Sequence, residues 1–175
     1  MIIWTSGVVL TAPCSFCRDI LEKFLSSFKI WVDSDACPKI IKDIIYKAAD
    51  RAKIKTIFVA NQYQIIPKSS HMSFVLVSKG MDVADSYIVD NLQKQDLVIT
   101  ADIPLAYLVV KAGAFALNPR GQFYSETNIS SRLATRDLME ELRNSGQIVG
   151  GPASLNNKDK FSFANALDKY ITQNK

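Results

Sequence analysis

Five aspartates stand where carboxylates can act together. Asp33 and Asp35 flank Ser34, Asp82 and Asp85 lie three residues apart, and Asp102 follows Thr100 and Ala101. Converging carboxylates repel one another, and holding them together without a counter-charge is costly. A hard divalent cation with oxygen ligands removes that conflict. No His joins the set, and no Cys except Cys37, so Mg²⁺ or Mn²⁺ is favoured over zinc. Such a cluster suits phosphodiester hydrolysis, in which the metal orients the phosphate, lowers the pKa of the attacking water and neutralises the leaving oxygen. Each acid also has a structural alternative. Asp33 or Asp35 can cap a helix opening near Pro38. Asp82 can cap its own helix with Asp85 at N3, and Asp102 can cap a helix opening near Pro104.

The elements that must bring these acids together follow from periodicity. Lys29 to Asp33 is a short apolar run ending in acid and reads as a buried strand. Ile40, Ile41, Ile44, Ile45 and Ala48 then recur at helical spacing behind Pro38. Residues 54–60 form a second strand, 74–77 a third and 96–100 a fourth, with helices over 82–92 and 104–112, the latter stopping at Gly113. Residues 114–117 form a short fifth strand. The segment 118–128 is turn-rich, and helices over 129–143 and 161–171, joined by the loop 150–152, close the chain. This alternation predicts an α/β three-layer sandwich with a mainly parallel sheet. Ligands of open α/β sheets bind beyond the carboxyl ends of the strands. Asp33, Asp35 and Asp102 end strands there, and Asp82 and Asp85 open a helix there. Asp96 starts its strand at the opposite edge and Asp90 is mid-helix, so both are excluded. Asp33 and Asp102 are expected on adjacent strands across the switch point of the sheet.

Two further residues are candidates for substrate contact. Asn61 ends the second strand at the same edge and can touch substrate or reach the metal through water; it can equally form an Asx-turn. Arg120, in a turn bounded by Pro119 and Gly121, can hold a phosphate with its planar fork; pairing with a nearby acid is the competing role.

The rest of the chain sets bounds. Its 175 residues suit one domain with a real core. A net charge of +4 permits a polyanionic partner without requiring one. Three cysteines, an odd count without disulfide spacing, point to a reducing, cytoplasmic compartment. Cys14 and Cys17 have C-x-x-C form but no second pair and no neighbouring His. The single histidine, His71, cannot build a zinc site or a catalytic pair, and with no Ser-His or Cys-His arrangement acyl chemistry is disfavoured. No stretch is long enough to span a bilayer. Residues 1–28 show no clean period and lack the basic start of a secretory signal. They are expected to be an extension that adds little to the core of a domain over 29–175, or a translation start placed too far upstream.

The motifs WVDSDACP at 31–38, VAN at 59–61, KGMDVADSYIV at 79–89, DLVITADIPLA at 96–106, NPRG at 118–121 and GGP at 150–152 together resemble the YaiI/YqxD family, bacterial proteins of undetermined function. The match spans roughly residues 29–170. Ser34 replaces that family's usual alanine and leaves the carboxylates in place. The family in turn looks like a branch of the PIN-like nuclease superfamily. The resemblance implies a PIN-like fold, metal binding by Asp33, Asp35, Asp82, Asp85 and Asp102, and Mg²⁺- or Mn²⁺-dependent cleavage of RNA or another phosphodiester.

Two other functions compete with a nuclease. A non-catalytic nucleic-acid or nucleotide-binding module with a vestigial metal site would use the basic helix surface of Lys39, Lys42, Lys47, Arg51 and Lys53. An aspartate-nucleophile phosphatase would use the D-x-D form of residues 33–35, although Ala36, Cys37 and Pro38 depart from the usual continuation of that motif.

Overall fold

A computed structural model of the chain describes residues 28–78, 80, 82–146 and 154–174. The expectations for residues 1–27, including Cys14 and Cys17, and for the loop 150–152 lie outside the described residues. The elements run β1 (Ile30–Asp33), α1 (Lys39–Ala52), β2 (Thr56–Ala60), β3 (Met72–Leu76), α2 (Val83–Asn91), β4 (Leu97–Ile99), α3 (Ile103–Lys111), β5 (Phe115–Leu117), β6 (Phe123–Tyr124), α4 (Glu126–Asn144) and α5 (Asn157–Asn174).

One six-stranded sheet has the order β3-β2-β1-β4-β5-β6, parallel throughout except for the antiparallel pair β5–β6. Every residue of β1 is buried, as befits a central strand covered on both faces. Side chains alternate across it by the two-residue period of a strand. Ile30 and Val32 join Phe58, Leu97, Ile99 and Leu117 under α1 and α5, which contribute Ile41, Ile45, Phe163 and Leu167. Trp31 joins Ile57, Val59, Val98 and Ala116 on the other face, under Ile88 of α2, Leu105 and Val109 of α3 and Ile129 of α4. The three-layer α/β sandwich expected from the alternation is therefore present. Phe28, grouped with the N-terminal segment by its sequence, is buried and meets Tyr170 edge-on.

The chain runs β1, β2, β3 in one direction, then crosses to β4 on the other side of β1. The switch point thus lies between β1 and β4, whose pairing sets Val32 opposite Ile99. The other end of that pair is tied by Asp96. This carboxylate, 1% exposed, accepts hydrogen bonds from the backbone N–H of Lys29 (2.7 Å), the Trp31 indole (2.9 Å) and the backbone N–H of Gln93 (3.0 Å). Three donors compensate a buried charge, so Asp96 is a structural clasp.

Boundaries differ from the periodicity reading where capping takes over. The turn-rich segment contains β6, and α4 begins at Glu126, because Ser125 and Asn128 form a reciprocal capping box. Helix α5 begins at Asn157, where Asn156 and Asp159 exchange side-chain-to-backbone hydrogen bonds of 3.0 and 2.9 Å. Strand β3 begins at Met72, where its backbone pairs with β2.

Candidate metal centre

The parallel pair β1–β4 delivers its carboxyl ends side by side. Asp33, 5% exposed, sits at the last position of β1. Its Oδ2 accepts from the Thr100 hydroxyl (2.8 Å) and its Oδ1 from the backbone N–H of Ala36 (3.4 Å). The Thr100 oxygen in turn accepts the backbone N–H of Asp102 (2.9 Å). Thr100 thus couples the two strand ends, and its only proton is committed to Asp33. Asp102 caps α3, accepting from the Leu105 N–H at 3.3 Å. Asp35 accepts from the Asn61 backbone N–H (2.6 Å) and the Gln64 amide (3.3 Å).

Asp82 and Asp85 behave differently. Asp82 occupies the left-handed region (φ 60°, ψ 9°) at the start of α2 and makes no side-chain cap. Aspartate tolerates this conformation better than most residues. Among the described residues neither carboxylate accepts a hydrogen bond.

All five acids and Asn61 line one open cavity of about 330 Å³. Burial raises the Asp33 pKa. The hydrogen bonds from Thr100 and Ala36 oppose that rise, and the charges of Asp35 and Asp102 add to it. Asp85 is pushed up to about 6, first by burial and then by Asp33, Asp102 and Asp82. Burial also pushes the neighbouring Cys37 thiol up to about 12, so it is no thiolate ligand at neutral pH. Asn61 adds a buried Oδ1 that has no hydrogen-bond partner among the described residues.

The set offers five carboxylates and the Asn61 amide, so the occupant it suits best is a cation. Among the described residues no three His, Cys, Asp or Glu side chains form a ready-made metal cage. The donors therefore fit a hydrated hard cation: Mg²⁺ keeps several waters and takes one or two carboxylates directly. They suit zinc less well, since the set brings no His nitrogen and no thiolate, the ligands that zinc sites usually include.

Six of the seven candidate residues thus share one cavity. Arg120 does not join them. Its guanidinium pairs with Asp159 at 2.7 Å, and it lines a neighbouring groove. Thr100 and Gln64 were not singled out by sequence. Thr100 stands two residues before Asp102, but its bond to Asp33 spans 67 positions and leaves no local signal. Asp90 is exposed and Asp96 lies at the far edge, as their sequence positions imply.

Two outcomes follow. Thr100→Val removes the hydroxyl at nearly constant volume and leaves the Asp102 N–H and an Asp33 oxygen unpaired. It is expected to lower stability by about 1–3 kcal/mol in urea unfolding, with Thr100→Ser close to the parent. The second concerns pH. In the metal-free protein the folded-state pKa of Asp85 lies above its unfolded value of about 3.9. The folded state then holds this proton longer, so stability falls as pH rises from about 4 to 6 and the penalty is complete above that range. Asp85→Asn should flatten this decline and raise stability at pH 7 by roughly 1–2 kcal/mol, after discounting solvent screening of a half-exposed group. Unfolding midpoints in EDTA across that range measure it.

Comparison with known proteins places these residues in a family. The model of the family described as uncharacterised BCR, YaiI/YqxD family matches residues 31–173. A UPF0178 protein of Shewanella baltica is 52% identical over 149 residues, covering 85% of this chain and 99% of its own. The UPF0178 protein of Desulfotalea psychrophila is 55% identical over 145 residues, 83% of this chain and 98% of its own. That of Proteus mirabilis is 56% identical over 146 residues, 83% and 97% respectively. No solved structure matches the chain.

Proposed function

The chain belongs to the YaiI/YqxD family of uncharacterised proteins, and from the site it carries we propose that it is a PIN-like, metal-dependent phosphodiesterase acting on RNA. The observation behind this reading is the cavity at the β1–β4 switch point, which five carboxylates and Asn61 line together. Bound Mg²⁺ or Mn²⁺ would supply a Lewis acid and an activated water. Asp33, Asp35 and Asp102 would hold the ion, since Thr100, the Asn61 N–H, Gln64 and the Leu105 N–H already fix their carboxylates. Asp82 and Asp85, without such bonds, can turn toward the ion or its waters. Asn61, which lines the same cavity, would contact a metal-bound water through its side-chain amide.

The phosphatase reading suits the site less well. A nucleophilic Asp33 would attack from a position 5% exposed, with both oxygens already accepting hydrogen bonds. The binding-module reading draws on the capping role of Asp102 and on the lack of a ready-made cage among the described residues.

The test is a titration of the protein with Mn²⁺ by calorimetry, followed by incubation with labelled RNA in Mg²⁺ or Mn²⁺. Saturable binding with metal-dependent cleavage is expected. RNA binding that ignores metal, with no turnover, would sink the proposal and favour the binding module.

A further inference from the structure

A second cavity, of about 600 Å³, opens beside the acidic one. They have no lining residue in common, but residues close in sequence border both. Ala101 borders the groove and Asp102 the acids; Pro38 borders the groove and Ala36 the acids. The chemistry changes from one to the other. The groove presents Pro38, Ile40, Pro119 and Leu155 as apolar surface, with Lys39 and the Asp159-paired Arg120 as cations. Ile40 stays 41% exposed although its helix buries Ile41 and Ile45 completely, so an apolar side chain faces the opening. Lys39 and Ile40 are the first two residues of α1. Pro38 gives this 14-residue helix no side-chain cap, and its first turn carries no acid. The positive end of the helix therefore meets the groove uncompensated by a carboxylate of its own first turn.

We infer that this groove is a nucleoside subsite for the same strand whose phosphate lies at the carboxylates. The inference rests on the phosphodiesterase reading for its substrate class. A base lies against Pro38, Ile40 and Leu155, and the flanking phosphate meets Lys39 and the first turn of α1. Cavities of this size commonly hold small organic groups against apolar walls with a few polar anchors, and apolar or aromatic platforms accept any base by its face. A base in a duplex is stacked on both faces and cannot enter, so the groove selects unpaired RNA.

The experiment uses the full chain in Ca²⁺, a hard cation that takes the same oxygen ligands, titrated with a fluorescent single-stranded oligoribonucleotide and with the same sequence as a duplex, read by anisotropy. Ile40→Glu and Lys39→Glu are the variants, both at exposed positions, with folding checked by circular dichroism. Ile65→Glu, at a residue 87% exposed and outside both cavities, is the control. Both groove variants should weaken single-strand binding at least tenfold, the control should match the parent, and the duplex should bind the parent at least tenfold more weakly than the single strand. Groove variants that bind like the parent, or a parent without single-strand preference, would overturn the inference. The phosphodiesterase reading is tested separately by Mn²⁺-dependent cleavage. Cleavage unaffected by the groove variants refutes the subsite alone. Groove-dependent binding without cleavage refutes the enzyme and leaves a binding site.

Discussion

Asp33→Asn is expected to abolish metal-dependent RNA cleavage, by about a thousandfold or more, while leaving the metal-free protein as stable as the parent or more so. A thousandfold loss corresponds to roughly 4 kcal/mol of transition-state stabilisation, within reach when a metal loses one of its anchoring charges. The stability side follows from electrostatics. Asp33 is buried, its pKa is raised by that burial, and Asp35 and Asp102 raise it further. Asparagine removes the charge and keeps the shape, and its oxygen can still accept from Thr100. The parent should gain about 2.7 kcal/mol from Mn²⁺ at a hundredfold excess over the dissociation constant; Asp33→Asn and Asp102→Asn should gain much less. If the acids are only helix caps, asparagine serves about as well as aspartate, and melts of parent and variants with and without Mn²⁺ would shift alike. That outcome would remove the main support for catalysis.

How much of this was legible in the sequence depended on whether the signal was local. Residues 29–33 and 96–100 read as strands because a continuous apolar run between polar ends is a local pattern, and each carries an acid at or just beyond its carboxyl end. The exclusion of Asp96 was legible for the same reason: it starts its strand, at the opposite edge. Strand β6 was not, since two residues carry no periodicity and Phe123 and Tyr124 are defined by their partners Leu117 and Ala116. The burial of Phe28 depends on Tyr170, far along the chain. Ile40 matched the helical spacing of Ile41, Ile44 and Ile45, yet it stays exposed and lines the groove, because it sits on the flank of the helix face that buries Ile41 and Ile45. The partners of the candidate residues were the least visible part. The Asp33–Thr100 bond and the Arg120–Asp159 pair join residues 67 and 39 positions apart, and only the fold creates them.

The motif of residues 118–121 shows what that non-local information changes, and Gly121→Ala tests it with the largest stability effect expected of any single methyl group here. Asn118 is buried, and its side-chain oxygen accepts from the backbone N–H of Arg120 (2.9 Å) and Gln122 (3.0 Å), fixing the turn. Arg120 then reaches Asp159 in the first turn of α5. Gly121 sits at φ +79°, and a Cβ there would lie 2.4–2.6 Å from backbone atoms of Ser162 and Phe163. Backbone cannot yield as a flexible side chain does, so alanine must push α5 away from the sheet. That helix carries Phe163, Leu167, Tyr170 and Ile171 into the core. The left-handed conformation alone costs about 1 kcal/mol for a residue with a Cβ, and displacing a core helix raises the total to roughly 3 kcal/mol or more. Arg120→Ala, which removes a partly exposed ion pair, should cost only about 1 kcal/mol. Urea unfolding of both variants separates two roles for the motif. A large loss for Gly121→Ala beside a small one for Arg120→Ala identifies the turn as the clasp that docks α5. A Gly121→Ala protein as stable as the parent would mean that turn and helix do not meet so closely, and the Arg120–Asp159 pair would then be the main link between them.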